Sequence, residues 1–421
     1  MRSLQTAVLA PAPIESPEAV TGTEPASPPR ISDEVSVGHL RAFVTVLVLA
    51  HHAVLAYHPF APQTPPASLV TEPRWWQAFP VVDSERWGGF GLFVGFNDVF
   101  FMALMFFLSG LFVWASLERQ GSGTFLRHRA LRLGLPFVVA AAVVAPLAYY
   151  PAYLQTGAPS GIAGFWQQWS ALGTWPAGPA WFLWVLLAFD AVAAGLYLLW
   201  PHWGHVLGRA SSGARRRPIL FFGLLVAVSA VAYLPMALAF NPFAWASFGP
   251  FFFQTSRLLH YAVYFLAGAA VGAYGLQRGL LAPDGALARR WPLWLTASWI
   301  AFSLIVAIMI MASSPALAGS RSLEIVGGLL FALSCAASSF AALAFFGRFA
   351  RKSHPVLDSL RKNAYGMYLI HYAFVSWLQY LLLKAPLSGL AKGGVVVVGT
   401  LLLSWAATAA LRRIPAVARV I

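Results

Sequence analysis

About ten apolar runs of roughly twenty residues recur along this chain, and they constrain its fold more than any other feature. A bilayer-spanning helix needs ~20 mostly apolar residues. Only 10% of the residues are charged, against about 25% in soluble domains, so the chain could not cover itself with polar surface in water. The sequence predicts an all-α polytopic membrane protein with about ten transmembrane helices. They lie near 38–58, 92–117, 133–153, 179–200, 218–239, 257–277, 291–312, 323–347, 363–383 and 393–411.

The distribution of Lys and Arg predicts the orientation of these helices. Cytoplasmic connectors of membrane proteins carry an excess of both residues. With the N-terminus in the cytoplasm, nineteen of them fall in cytoplasmic connectors or the C-terminal end, and five fall in outer connectors. Both termini are therefore predicted to be cytoplasmic. The net charge of +14 follows from this topology and does not indicate nucleic-acid binding.

The composition also divides the chain. Residues 1–36 are rich in Pro, Glu, Ser and Thr, which predicts a disordered cytoplasmic tail. Residues 37–413 form the predicted transmembrane domain, and residues 414–421 a cytoplasmic C-terminal tail. Cys335 is the only cysteine, so no intrachain disulfide is expected. We also predict no metal site, because His51 and His52 are adjacent instead of being spaced along one helical face.

Ionisable side chains inside the predicted helices are the first candidates for function. Such groups cost several kcal/mol unless they are paired or hydrated. The set comprises Arg41, His51, His52, Asp98, Asp190, His260, Glu324 and His371.

The first predicted helix, HLRAFVTVLVLAHHAVLAY, carries the most informative pair. Arg41 and His52 are eleven residues apart, which is three turns plus about 20°, so they share one face ~16 Å apart along the axis. His51 points about 100° away. A cation at the cytoplasmic mouth and a titratable imidazole deeper in the same groove suit a long ligand with an anionic head and a reactive tail. The structural alternatives are an interhelical hydrogen bond for His52 and a snorkelling interfacial anchor for Arg41.

Two further groups extend this hypothesis. Asp98, in the second helix, is expected at the depth of His52, where its carboxylate would orient the imidazole; the alternative is exposure at the outer interface. The connector FLRHRALRLGLP contains Arg127, and it places Arg129 and Arg132 on one helical face. This cluster suits phosphate groups, although ordinary positive-inside charge or contact with anionic lipid would also explain it.

Other polar residues have weaker signals. His371 lies midway through the ninth helix, accompanied by Tyr368. Asp190 is expected to be a structural partner in an interhelical network. His260 and Glu324 lie near outer ends, where they could line an acceptor site, although solvent exposure is the simpler interpretation.

These motifs resemble the membrane acyltransferase 3 family, including its glucan biosynthesis protein C type, over residues 36 to 411. The resemblance rests on Arg41-x10-His52, on FFLSG ending at Ser109 and Gly110, on Arg129-x-x-Arg132, and on GPAWFLWVLL and YGMYLIHY with His371. It implies ten helices around a central acyl-donor pore. It also implies that His52 is catalytic and that Arg41, Arg129 and Arg132 support the donor or the site, and we add Arg127 to the donor-binding cluster. We also add Asp98 as the catalytic partner of His52 and His371, Ser109, Tyr368 and Glu324 as acceptor or pore-lining residues.

The function expected from this resemblance is O-acyl transfer. An acetyl, succinyl or similar group would pass from cytoplasmic acyl-CoA, a co-substrate and not a bound cofactor, to a hydroxyl of a sugar, glycan or lipid beyond the outer half of a bacterial inner membrane. His52 would act as general base or form an acyl-imidazole. Expected partners are membrane lipids and either a membrane partner protein or a second copy of the chain. The alternatives are a transporter or flippase of lipid-linked or small anionic substrates, and a non-catalytic scaffold.

Overall fold

The computed structural model describes residues 31–421, with side chains from residue 35 onward. Residues 1–30 of the predicted tail lie outside the described residues, and the first helix begins at Ile31. The helices are α1 Ile31–Val54, α2 Gly89–Gly110, α3 Val113–Arg129, α4 Leu135–Val139, α5 Ala145–Gln155, α6 Ile162–Ser170, α7 Trp181–Leu199, α8 Trp203–Ala210, α9 Pro218–Phe240, α10 Leu258–Tyr274, α11 Ala286–Arg289, α12 Trp291–Ala312, α13 Arg321–Phe349, α14 Pro355–Leu381, α15 Gly389–Leu411 and α16 Pro415–Ala418. The strands are β1 Trp245–Phe248 and β2 Phe251–Gln254.

The chain is an all-α polytopic membrane protein. Within residues 31–421, eight helical segments are long and apolar enough to cross a bilayer. They are Val35–Tyr57, Gly89–Gly110, Val113–Gln155, Gly178–Leu199, Pro218–Phe240, Trp291–Ala312, Arg321–Phe349 and Gly389–Leu411. The two other predicted spans coincide with α10, which has 17 residues, and with α14, whose first turns carry Asp358, Arg361 and Lys362.

The structure corrects the predicted second span and the connector after it. The helix predicted over 92–117 ends at Gly110, and a turn at Leu111 and Phe112 precedes α3. The predicted connector FLRHRALRLGLP is helical and continuous with the third span, through π-helical turns at 130–134 and 140–144. Gly121, with φ 71° and ψ 165°, bends this segment in a conformation that glycine adopts most readily. Hydropathy missed the helix because residues 118–132 are polar.

The centre of the bundle depends on close contact between α2 and α10. A Cβ atom at Gly268 would overlap the Phe107 carbonyl oxygen, and one at Gly272 would overlap that of Leu111. On the opposite helix, a Cβ atom at Gly110 would overlap the Phe265 carbonyl oxygen. Small residues at such spacing let helix backbones approach closely in membranes. The glycines therefore set the distance between these two helices.

Gly268→Ala is expected to destabilise the protein by about 1–3 kcal/mol, because the added methyl group forces two backbones apart. The matched control is Gly223→Ala in α9, where a Cβ atom would meet nothing within 4 Å. That substitution should be neutral or stabilise by up to ~1 kcal/mol through helix propensity. Chemical denaturation in detergent would compare the two variants. Equal stability of Gly268→Ala and the wild type would contradict the proposed contact.

At the predicted outer side, the 58–88 loop and the β1–β2 hairpin cover the helix ends. The hairpin packs on α7, where the Trp184 indole donates to the Phe252 carbonyl at 2.9 Å. Arg86 stabilises the loop, because its Nη2 donates a hydrogen bond to the Pro62 carbonyl oxygen at 2.6 Å. Asp83 Oδ2 of the same loop accepts a hydrogen bond from Lys392 Nζ of α15 at 2.8 Å, and both side chains are 1% exposed.

At the opposite end, His39 joins α1 to the α13–α14 connection. Its Nε2 lies 3.1 Å from Asp358 Oδ1, and its Nδ1 lies 3.0 Å from the Ala350 carbonyl oxygen. Hydrogen bonds from Ser353 and His39 lower the pKa of Asp358 to about 2. This junction fixes α14 against α1 two residues before Arg41.

Candidate functional site

The site is built from α1 and α14, which the structure brings together at two histidines. His52 Nδ1 lies 3.2 Å from His371 Nε2. His371 is fully buried, whereas His52 is half-buried. Because α1 is uninterrupted from residue 31 to residue 54, the helical phase places His52 toward α14. His51 turns instead toward α2, where its ring stacks on Phe101 with centroids 5.1 Å apart.

The acceptors around the two imidazoles assign their tautomers. His371 Nδ1 lies 2.7 Å from the Tyr368 carbonyl oxygen, and His52 Nδ1 lies 2.8 Å from that of Val48. A carbonyl oxygen only accepts, so each Nδ1 carries a hydrogen. His371 Nε2 then has a lone pair that accepts from His52 Nδ1–H. His52 Nε2 is left with its own lone pair, and no hydrogen bond occupies it among residues 35–421.

Aromatic rings surround this pair. Tyr372 packs edge-on against His52 with centroids 5.2 Å apart, and Tyr149 packs on the far side of Tyr372. The Tyr368 hydroxyl donates to the Pro179 carbonyl oxygen. Next to these tyrosines is a small apolar cavity, lined by Ala140, Val144, Ala145, Ala177, Pro179, Ala180, Tyr368, Leu369 and Tyr372.

The predicted cationic cluster also converges. Arg129 and Arg132 are close enough to Arg41 for their charges to act on its guanidinium. Arg41 Nη2 donates to the Leu108 carbonyl oxygen at 3.4 Å, and its guanidinium lies 5.6 Å from the centre of the Phe112 ring. Arg127 and Arg132 are exposed. Arg41, the member of this cluster on α1, therefore lies ~16 Å along the helix axis from His52.

Asp190 holds one member of this cluster in place. Its fully buried carboxylate lies 3.3 Å from Arg129 Nε, which ties α7 to α3. Neither Asp190 oxygen has a hydrogen-bond partner among the described residues, so the contact with Arg129 is electrostatic. Asp190 is thus the interhelical partner that the sequence indicated.

The predicted contact between Asp98 and His52 is wrong. Asp98 Oδ2 accepts from Arg257 Nη2 at 2.6 Å, and the Asp98 carbonyl oxygen accepts from Nη1 at 2.9 Å. Among the described side chains, no hydrogen bond joins Asp98 to His52. Arg257, which binds this carboxylate instead, lies at the first residue of a predicted span.

Three other predicted residues do not contact the histidine pair through a hydrogen bond among the described residues. Ser109 Oγ donates to the Met105 carbonyl oxygen at 2.8 Å, inside its own helix and beside the carbonyl that Arg41 contacts. Glu324 is exposed and pairs with Arg321 at 3.0 Å at the start of α13, away from the histidines. His260 is fully buried, with Nε2 3.4 Å from Cys335 Sγ.

Sequence reasoning missed Arg257 and the Asp83–Lys392 pair. Arg257 lies at the first residue of a predicted span, and Lys392 lies one residue before another. The signal in the sequence is a lone cation at the predicted outer end of an apolar helix. Among residues 31–421, no group of three or more His, Cys, Asp or Glu side chains is placed to hold a metal ion.

The helices and the histidine pair define a multi-pass membrane protein with a polar centre inside its bundle. The family model described as "Acyltransferase domain" matches residues 34–409. The chain therefore belongs to the acyltransferase 3 family, and it is an acyltransferase enzyme. No curated protein and no solved structure matches it.

Proposed function

We propose that this enzyme transfers a short acyl group from cytoplasmic acyl-CoA to a hydroxyl of a sugar, glycan or lipid at the outer side of the membrane. The observation that carries the proposal is the free Nε2 of His52, whose Nδ1–H is held by two acceptors. A neutral imidazole in this tautomer is a general base. The proposed location is a bacterial inner membrane.

The reaction balances with one base. His52 Nε2 takes the proton of the acceptor hydroxyl while its oxygen attacks the thioester carbonyl carbon. The carbon–sulfur bond then breaks, and the coenzyme A thiolate takes the proton from Nε2. The products are an ester and a free thiol, and the imidazole returns to its starting state.

His371 is a positioning residue in this mechanism. Its Nε2 accepts from His52 Nδ1–H, which keeps Nε2 of His52 unprotonated and directed away from His371. In hydrolases with a catalytic triad, an aspartate holds the histidine tautomer in a similar way. A neutral imidazole gives less stabilisation to the imidazolium than a carboxylate does, but it also avoids placing an unpaired anion in the bundle.

The arginine cluster supplies the donor site in the proposal. Guanidinium groups bind phosphate through paired N–H donors. Arg41, Arg129 and Arg132 would hold the phosphates of coenzyme A, and the ~16 Å from Arg41 to His52 would be spanned by the pantetheine arm. The excess of Lys and Arg in the predicted cytoplasmic connectors supports entry of the donor from that side.

The apolar cavity beside Tyr368 and Tyr372 supports a short acyl chain. Four of its nine lining residues are alanines, and its free space is comparable to one water molecule. Its lining has no charged side chain, which favours acetyl over succinyl. Among the donors expected from the sequence, the proposal therefore selects acetyl-CoA.

The test is acyl-CoA turnover by the purified protein in lipid nanodiscs, followed as release of free thiol. With acetyl-CoA, Arg132→Gln is expected to raise KM about ten-fold or more with a smaller change in kcat, because a hydrogen bond to a charged group contributes ~1.5–3 kcal/mol. The control is Arg216→Gln, an exposed arginine before α9, which should leave KM unchanged. Equal effects of the two variants would contradict the donor site, and substrate flux without thiol release would favour a transporter.

A further inference from the structure

The Asp98–Arg257 pair is a second polar site within the bundle, and the reaction at His52 does not use it. Asp98 lies on α2, nine residues from the outer end of that helix, or ~14 Å. Arg257 precedes α10 and is 3% exposed. Its guanidinium makes two hydrogen bonds to Asp98 and lies 4.7 Å from the centre of the Phe331 ring. These three contacts hold the guanidinium against the carboxylate.

The carboxylate of this pair is accessible, although its partner is not. The Asp98 side chain is 38% exposed. A carboxylate facing lipid would be strongly unfavourable, so the exposed part of this side chain requires contact with water or polar groups. His51, the neighbour of the base, stacks on Phe101, three residues along α2 from Asp98. Asp98 thus lies ~4.5 Å nearer the predicted outer end of α2 than that contact.

The chemistry of this site suits a neutral polyol. The charges of the pair cancel, so the site neither attracts nor repels a neutral ligand over distance. An ionised carboxylate is an acceptor that binds hydroxyl donors through charge-assisted hydrogen bonds. Arg257 orients that carboxylate by binding one of its oxygens, which leaves acceptor capacity for a ligand. A carbohydrate presents adjacent hydroxyls, whereas a simple alcohol presents one.

We infer that the Asp98 carboxylate, fixed by Arg257, binds hydroxyl groups of a carbohydrate acceptor in an outward-opening vestibule and presents a further hydroxyl to His52. This inference rests on the proposed function and names its acceptor class. Asp98 is thus a specificity-determining residue and not the orienting partner of the base. Arg257 acts through Asp98 as a positioning residue.

The kinetic test compares two acceptors with acetyl-CoA as donor, namely 4-nitrophenyl β-D-glucopyranoside and 4-nitrobenzyl alcohol. Asp98→Asn is expected to lower kcat/KM for the glucoside at least ten-fold, mainly through KM. The values for the simple alcohol and the KM for acetyl-CoA should be unchanged, and Asp98→Glu should recover part of the loss. Equal losses on both acceptors, or no loss on the glucoside, would overturn the inference.

A second measurement does not depend on turnover, so it separates this inference from the proposed function. A cysteine is placed at Asp98, or at Val94 one turn nearer the outer end of α2, in a Cys335→Ser background. A membrane-impermeant, positively charged thiosulfonate should label either position from the outer side only, and the glucoside should slow the labelling. Val228→Cys, on a lipid-exposed position of α9, should stay unlabelled. Failure of both test positions to react from outside would overturn the vestibule, whatever the turnover.

Discussion

Replacing His52 by alanine is expected to lower kcat for acyl transfer by about 10²–10⁴-fold, the range that a positioned general base contributes. The reason is the lone pair on His52 Nε2, which no hydrogen bond among the described residues occupies and which can therefore take the hydroxyl proton. The KM for acetyl-CoA should change little, because the arginine cluster lies ~16 Å away along α1. The measurement is thiol release by purified protein in nanodiscs under saturating donor.

The matched control for this variant is His51→Phe. His51 is 9% exposed and stacks on Phe101, so phenylalanine preserves its shape and packing while removing its nitrogens. We expect a loss of less than ten-fold. A larger loss in His51→Phe than in His52→Ala would transfer the base to the other histidine, and full activity in His52→Ala would rule out the mechanism.

Helical periodicity explains why the centre of the site was predictable. Arg41 and His52 fall on one face whenever eleven residues separate them in an unbroken helix, and α1 is unbroken. An imidazole midway through an apolar span requires a polar partner or water, so the sequence alone makes His371 a candidate. The fold class followed from the same apolar runs. These features follow from the local sequence and from the thickness of the bilayer, which is the same for every helix.

The partners of the other polar residues were not predictable, because they depend on how distant helices pack. Nothing near Asp98 in sequence indicates Arg257, 159 residues away. The depth of a residue follows from its own span, but its helical neighbour follows from the packing of α2 against α10. That packing depends on Gly268 and Gly272, whose effect is visible only when the facing carbonyls are placed. The polar helix over 118–132 was missed for a different reason, since hydropathy detects lipid contact and not helicity.

Replacing Lys392 by methionine is expected to destabilise the protein by about 3–5 kcal/mol, because it leaves the buried Asp83 carboxylate without its counter-ion. Lys392 Nζ also donates to the Leu383 carbonyl oxygen at 3.1 Å. The methionine therefore leaves two acceptors without their donor. Both members of the pair are 1% exposed, and water cannot replace the lost bonds. Chemical denaturation in detergent would give the free energy of unfolding, with donor binding as the check on the native state.

The double variant Lys392→Met with Asp83→Asn separates loss of packing from loss of charge balance. Asparagine keeps the carbonyl-type oxygen that accepts from the Glu85 amide, a bond 2.9 Å long in the wild type, while removing the buried charge. If the uncompensated carboxylate causes the instability, the double variant should recover most of the loss, since replacing both members of a buried ion pair is often nearly neutral. Recovery would show that the unpaired buried carboxylate causes the instability of the single variant. A double variant as unstable as the single one would instead assign the loss to the packing of the lysine stem against that loop.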